Sequence, residues 1–388
     1  MNRKRIISLF LALLILLTYP CPVRAEESSP LNITSTSVLL MEASTGTVIY
    51  EKNADEVLYP ASITKIMTLI LIFDALESGK IQKTDVVRVS EYAASMGGSQ
   101  VFLETGEEQT VDTLIKCIAV ASANDGCVAM AEHIWGSEAA FVEKMNERAQ
   151  ELGMTNTNFV NCCGLDVDGH MTSARDVGLM SRELITKYPD IYNYSQIWME
   201  NITHVTAKGS SEFGLANTNK LIKQYSNATG LKTGSTDLAK SCISATANKN
   251  GIDLIAVVMA APNYKVRFQE AIALLEYGYA NCKLYQDTEP QELPQMKVNG
   301  GVEDHVSLTY GTPFSYLSTE GEDFSNIEKS LELPESVEAP LEEGQVVGRL
   351  VYRMNGQELG RTDILTQNAV EEAGWVDYLT QLFFRWLF

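Results

Sequence analysis

Ser62 and Lys65 stand three residues apart in Pro60-Ala61-Ser62-Ile63-Thr64-Lys65, at the head of a run too apolar to lie on a surface. Met67, Leu69, Ile70, Ile72 and Phe73 leave no polar stripe, so residues 62–78 read as a buried core helix around which the rest must fold. In a helix, positions i and i+3 share a face one turn apart, which sets the lysine amine over the serine hydroxyl. The helix N-terminus adds free backbone N–H groups and a partial positive field. Positive field and desolvation both lower a lysine pKa, so such an amine can serve as the base for a serine nucleophile without a histidine. Alone, the S-x-x-K spacing is commonplace, and an exposed helix cap reads the same way.

Two further pieces follow in order. Ser122-Ala123-Asn124 lies within Ala121-Ser122-Ala123-Asn124-Asp125-Gly126, and Lys232-Thr233-Gly234-Ser235 comes later, about 60 and 110 residues further along. Singly, each reads as a cap, loop or strand turn. Together, S-x-x-K, S-x-N and K-T-G form the signature of penicillin-binding proteins and class A β-lactamases. From about Thr36 to the C-terminus the chain resembles the low-molecular-mass penicillin-binding proteins, the serine-type (S11-like) D-alanyl-D-alanine carboxypeptidases. The resemblance rests on Tyr59 to Thr68, Ala121 to Asp125, Asn161-Cys162-Cys163-Gly164-Leu165 with His170 after it, Gly230 to Thr236, and Arg267-Phe268. The chain departs from the family at Cys162-Cys163, where Pro-His or a similar pair is frequent.

The resemblance implies acyl transfer through a covalent serine intermediate. Lys65 takes the proton of Ser62, which attacks the penultimate D-alanine carbonyl of a peptidoglycan stem peptide ending in D-Ala-D-Ala. The backbone N–H groups of Ser62 and Ser235 hold the oxyanion, and Ser122 with Lys232 passes a proton to the departing D-alanine. Lys232 also supplies charge that keeps Lys65 neutral and attracts the substrate carboxylate. Asn124 binds the substrate amide, Thr233 and Arg267 contact the terminal carboxylate, and Gly234 and Ser235 complete the substrate-binding residues with Lys232. For Arg267 a surface ion pair is the competing reading. β-Lactam antibiotics would act as inhibitors by acylating Ser62 durably. No cofactor and no metal is called for. Three rivals stand beside this reading. A class A-like β-lactamase needs a glutamate to activate water, and Glu183 is the nearest candidate. A non-catalytic peptidoglycan-binding module would keep the motifs as relics. Endopeptidase activity on cross-links would use the same residues.

Bulk properties agree with an exported enzyme. Residues 1–25 read as a signal peptide: Arg3, Lys4 and Arg5, then the apolar stretch Ile6 to Thr18, then Val23-Arg24-Ala25 before Glu26. An uncleaved anchor is the alternative. The whole chain carries a net charge of −20, and removing residues 1–25 takes away four basic and no acidic residues, leaving −24. That argues against nucleic acid and against attraction to anionic lipid. The place of action implied is the extracytoplasmic face of the bacterial cytoplasmic membrane or the cell wall. Cys117, Cys127, Cys162, Cys163, Cys242 and Cys282 lie in apolar runs without a C-x-x-C, which reads as buried thiols with room for one bridge. His133, His170, His204 and His305 show no metal-ligand spacing, and His170 reads as a structural hydrogen-bonding residue.

The expected fold class is α+β, a β-lactamase/transpeptidase-like catalytic domain with an antiparallel sheet and helices. Strands are expected at both chain ends of that domain, with helices between them. The domain expectations are a signal peptide at 1–25, a flexible segment at 26–35, the catalytic domain at 36–283, a small all-β domain at 284–366, and an amphipathic membrane-associating helix at 367–388. Asn355-Gly356 marks a hairpin in the β domain. In the tail, Trp375, Val376, Leu379, Leu382, Phe383, Trp386 and Leu387 share one helical face, which suits shallow insertion at a membrane surface. The alternative is packing on the β domain.

Overall fold

The computed structural model describes residues 31–206, 208–288, 290–319 and 321–379. Its organising element is α1, Lys65–Glu77, entered through a 3₁₀ turn over Ala61–Thr64. The helix expected from Ser62 therefore begins three residues later, and Ser62 sits in the tighter turn ahead of it. Every residue from Ile66 to Phe73 is buried, because apolar side chains occur all round the helix and leave no face for water. Helix α2, Val111–Lys116, passes into a π-helical turn over Cys117–Ala121. Helices α3, Asn124–Trp135, α4, Glu138–Glu151, and α5, Ala174–Lys187, pack around α1. Ser173 caps α5 by accepting the Asp176 N–H.

This helical layer lies against one sheet. Strands β1, Ser37–Glu42, and β2, Val48–Lys52, come from the start of the domain. A separate hairpin, β3, Met199–Thr206, and β4, Gly209–Ala216, follows the helices. Strands β5, Ala228–Thr236, β6, Lys240–Lys249, and β7, Ile252–Ala261, close the domain with helix α6, Tyr264–Asn281. The sheet order is β2-β1-β7-β6-β5, antiparallel throughout. Residues 241–247 of β6 are all buried, since helices cover both faces.

Neighbouring β1 residues point to opposite faces and meet the two layers at glycines. A Cβ on Gly178 of α5 would stand 2.4 Å from Leu39 Cδ2. One on Gly278 of α6 would stand 2.6 Å from Leu254 and 3.1 Å from Leu40. Across the β5–β6 pair Lys232 lies opposite Ser244, whose hydroxyl is 2.7 Å from that of Ser181 in α5. Cross-strand partners share a face, so the register aims Lys232 into the helical layer.

After α6 the chain forms a second, all-β region with its own apolar clusters. Its longest hairpin is β8, Val346–Met354, and β9, Gln357–Thr366. The turn between them is Asn355-Gly356, with φ of +52° and +79°, the left-handed pair that a two-residue hairpin requires. Phe314 stacks on Tyr352 at 4.0 Å between ring centres.

Two expectations need correction at the domain edges. Thr34 and Ser35 are tied down by hydrogen bonds to Glu270, so the flexible segment does not reach residue 35. The helix expected over 367–388 does not start at 367: Val370 bridges to Leu341 and Glu372 to Gly301, which joins residues up to 372 to the β region. Residues 375–379 are helical, and residues 380–388 lie outside the described residues, as do the expected signal peptide and residues 26–30. Among the described residues no helix is long and apolar enough to cross a membrane.

The α5–β1 contact is directly testable. Gly178→Leu forces a side chain into the space of Leu39, and overpacking of this kind costs about 1–3 kcal/mol. The melting temperature falls in a thermal scan, whereas Gly97→Ala, whose methyl meets nothing within 4 Å, leaves it unchanged.

Candidate active site

The 3₁₀ turn presents Ser62 half-buried and Lys65 fully buried. The Lys65 amine makes three contacts: Ser62 Oγ at 3.0 Å, Asn124 Oδ1 at 2.7 Å and the Cys163 carbonyl at 2.6 Å. Asn124, the first residue of α3, also donates from Nδ2 to the Gly97 carbonyl at 2.7 Å. Its amide is thus oriented, with the oxygen toward the lysine. The next residue, Asp125, is buried and accepts N–H bonds from Val101 and Leu103, holding the loop after Gly97 in place.

Ser122 lies between the π-helical turn and α3 in a left-handed conformation, φ +63° and ψ +37°. That geometry is unusual for a non-glycine residue, and π-turns of this type cluster at functional sites. Ser122 Oγ accepts from Lys232 Nζ at 2.9 Å, and the same amine donates to the Thr233 carbonyl at 3.0 Å. Lys232 is buried, which drives its pKa well below the ordinary lysine value, and the charges of Lys65 and Arg267 push the same way. The sequence reading makes Lys232 the cation that keeps Lys65 neutral; burial works against that charge on Lys232 itself.

Strand β5 passes so close to the nucleophile turn that only glycine fits. A Cβ on Gly234 would be 2.9 Å from Ser62 N and 3.1 Å from Ile63 N. Thr233 Oγ1 donates to Thr218 Oγ1 at 3.0 Å. Arg267 is neither on the surface nor in an ion pair: it is buried, and its Nη1 reaches the Gly234 carbonyl at 3.0 Å and Ser235 Oγ at 2.8 Å. Burial lowers its pKa, and its Nε is buried without a hydrogen-bond partner.

The far wall is the loop 161–165. Asn161 Oδ1 accepts the N–H groups of Cys163, Gly164 and Leu165 at 3.1, 2.7 and 3.1 Å, curling the loop around one side chain. That curl turns the Cys163 carbonyl to Lys65 and the Cys162 carbonyl to Thr68, 2.6 Å from its hydroxyl. Gly164, at φ +88°, lies against the nucleophile turn, and a Cβ there would be 1.8 Å from the Ala61 carbonyl oxygen. His170 is buried behind the turn. Its Nδ1 accepts the Val160 N–H at 2.9 Å and its Nε2 lies 2.8 Å from Thr64 Oγ1. Burial holds its pKa down to about 4.

Ser62, Lys65, Ser122, Asn124 and Lys232 thus converge in one crevice, with Gly234 against the turn and Thr233, Ser235 and Arg267 alongside on and under β5. The Cys163 carbonyl, Asn161, Thr218 and Asp125 were not singled out as site residues. Asn161-x-x-Gly164 was quoted only as part of the family resemblance; its signal is an Asn followed by a glycine at a close approach. The six cysteines Cys117, Cys127, Cys162, Cys163, Cys242 and Cys282 are all buried and free, without the bridge for which the sequence left room. Among the described residues one grouping, Glu138 with Cys162 and Cys163, brings three candidate metal-ligating atoms within 4.8 Å of one another. Its carboxylate is already committed to the Cys162 N–H and the Tyr92 hydroxyl, and burial pushes the Cys162 thiol well up, which favours a structural strut. Glu183 points away from Ser62 into an ion pair with Arg148, so it does not fill the water-activating place of a class A β-lactamase.

Residues 24–263 match the family described as D-alanyl-D-alanine carboxypeptidase (peptidase S11), and residues 280–372 match the penicillin-binding protein 5 C-terminal domain. The D-alanyl-D-alanine carboxypeptidase DacF of Bacillus subtilis is 40% identical over 390 residues, covering 99% of each chain. The structure of penicillin-binding protein 5 from Haemophilus influenzae aligns with a TM-score of 0.72 at 33% identity, covering 89% of this chain and 99% of the other. That of penicillin-binding protein D2 from Listeria monocytogenes in its ampicillin-bound form gives 0.53 at 30% identity, covering 64% and 98%.

The buried His170 gives a pH signature. In the unfolded chain it takes up a proton as pH falls through its ordinary 6.5, while the folded chain resists until about 4. The unfolded state therefore binds more protons across that window, and stability is lost as pH falls from about 6.5 to about 4. His170→Gln lacks this titration. Melting temperatures of the two proteins should converge or cross over that range, and a pH-independent difference between them would contradict the assignment.

Proposed function

The chain belongs to the D-alanyl-D-alanine carboxypeptidase family, and we propose that it performs that reaction through an acyl-enzyme on Ser62. The observation that carries the reading is the environment of the Lys65 amine. Two of its three partners, Asn124 Oδ1 and the Cys163 carbonyl, can only accept hydrogen bonds. In a neutral amine they take both N–H protons, and the lone pair is left for Ser62. Lys65 then removes the hydroxyl proton as Ser62 Oγ attacks the penultimate D-alanine carbonyl of a stem peptide.

The oxyanion forms against the N–H groups of Ser62 and Ser235, brought near each other by the close approach at Gly234. The C–N bond breaks as the proton taken from Ser62 passes from Lys65 through Ser122 and Lys232 to the departing D-alanine nitrogen, which returns Lys65 to its neutral form. Water then attacks the ester and gives a proton to Lys65, which hands it to Ser62 Oγ as the ester C–O bond breaks. Asn124 offers its remaining amide proton to the substrate. Thr233, Ser235 and Arg267 face the terminal carboxylate, which supplies the counter-charge that lets Lys232 hold a proton despite burial. A β-lactam presents a similar acyl centre and carboxylate, forms the same ester and leaves it slowly.

We further propose that residues 1–25 direct export, that the enzyme acts on peptidoglycan outside the cytoplasmic membrane, and that the tail beyond the β region docks on the membrane surface. Trp375 and Leu379, 88% and 65% exposed, start that apolar face.

Labelling with a penicillin followed by peptide mapping tests the central claim. The parent protein gains one penicilloyl group on the Ser62 peptide, and Ser62→Ala gains none and releases no D-alanine from a D-Ala-D-Ala peptide. Lys65→Ala lowers the acylation rate by about 10²–10⁴-fold, the usual share of a general base. Normal D-alanine release by Ser62→Ala overturns the assignment. For the tail, the full chain should float with phospholipid vesicles in a density gradient at moderate salt, and a chain ending at residue 374 should not.

A further inference from the structure

The proposed oxyanion donor Ser62 N–H belongs to the same peptide unit as the Ala61 carbonyl. A trans peptide is planar, with N–H and C=O pointing in opposite directions, so whatever fixes the carbonyl aims the N–H. The residue carrying this unit is strained: Ala61 sits at φ +49°, a conformation that non-glycine residues rarely adopt. Two close approaches press on the unit, Gly164 against its oxygen and Gly234 against its nitrogen.

A single hydrogen-bonded chain ends on that oxygen. The Val160 N–H can only donate, and it lies 2.9 Å from His170 Nδ1, so Nδ1 is bare and the ring proton is on Nε2. Nε2 then donates to Thr64 Oγ1 at 2.8 Å, and Thr64 Oγ1 has its own proton free to donate to the Ala61 carbonyl at 2.9 Å. Every donor and acceptor in the chain is fixed in one direction, and Thr64 and His170 are almost wholly buried. We infer that His170 and Thr64 are positioning residues for the acylation step: they lock the Ala61–Ser62 peptide so that the Ser62 N–H meets the developing oxyanion. Neither touches the reacting atoms. The low pKa of His170 keeps the ring neutral and the chain in this one direction at ordinary pH. The inference rests on the Ser62 acyl-enzyme reading and adds the origin of its oxyanion geometry.

The test uses the full chain and three variants. Thr64→Val keeps shape and loses the donor to Ala61. His170→Asn places an amide oxygen where Nδ1 was and loses the reach to Thr64. His170→Gln places an amide N–H where Nε2 was and keeps it. Acylation by penicillin and kcat for a D-Ala-D-Ala peptide should fall about 10–100-fold in Thr64→Val and His170→Asn, short of the 10²–10³-fold for removing an oxyanion donor outright. KM should stay within about twofold, because positioning the N–H acts on the transition state and not on substrate binding. His170→Gln should recover most of the lost rate. A depsipeptide ester and its thionoester give an independent readout: sulfur fits an oxyanion site poorly, so the oxygen-to-sulfur rate ratio should shrink in Thr64→Val.

If folded Thr64→Val acylates within twofold of the parent, the inference is wrong. It is equally wrong if His170→Gln loses as much as His170→Asn, a contrast that still decides the matter should Thr64→Val not fold. A parent protein that forms no penicilloyl ester on Ser62 would instead sink the acyl-enzyme reading itself.

Discussion

The buried amine of Lys65 is the constraint on which the rest of the site depends. Removing an ammonium or amine from water is costly unless its hydrogen bonds are replaced. Here they are replaced by groups from three parts of the chain: the Ser62 hydroxyl one turn earlier, Asn124 from the start of α3, and the Cys163 carbonyl from the loop 161–165. Those partners meet only if α1 is enclosed by helices and the loop is curled around Asn161. The all-round apolar character of α1 therefore has a chemical consequence as well as a packing one. A helix half exposed to water would leave the lysine hydrated and its amine free to turn away from Ser62.

Close backbone approach is the second constraint. The Ala61–Ser62 peptide is pressed by Gly164 from the loop and Gly234 from β5, and in each case a methyl group would collide with backbone atoms. The glycine of K-T-G is thus explained by distance, since β5 must lie against the nucleophile turn for the N–H groups of Ser62 and Ser235 to face one point. Among the described strands β5 is at the sheet edge, paired only to β6. The register that places Lys232 opposite Ser244 sets which side chains of β5 face inward.

The three motifs were legible because their chemistry resides in side chains at short, characteristic spacings. The α+β class, the strands flanking the helices and the Asn355-Gly356 hairpin were legible from periodicity and turn chemistry. What escaped the sequence shares a physical character. The Cys163 carbonyl and the Ala61–Ser62 peptide act through backbone atoms, which any residue type would supply. The π-turn before Ser122 and its left-handed conformation arise from tertiary packing that overrides an ordinary helical pattern. Arg267 reads from sequence as a carboxylate ligand or a surface ion; the surface reading fails because its guanidinium is buried and braces Gly234 and Ser235 from within. The tail was read as helix too early because an amphipathic pattern cannot reveal that Val370 and Glu372 are held by strand-like bridges.

The charge distribution connects the site to its ligands. The chain carries a net charge of −20, yet three basic groups, Lys65, Lys232 and Arg267, are buried near enough for the latter's and Lys65's charges to act on Lys232. Burial, and next the neighbouring charges of Lys65 and Arg267, drive the Lys232 amine well below the ordinary lysine value. An arriving carboxylate opposes that shift, because its charge stabilises a proton on Lys232. In the proposed reaction the substrate's own terminal charge thus helps set the protonation state that its cleavage requires. A peptide amidated at its C-terminus would lose the attraction to Arg267 and β5 and also the ion that charges Lys232. Selectivity for a free terminal carboxylate then appears in the chemical step as well as in binding, which is the distinction between differential and uniform binding.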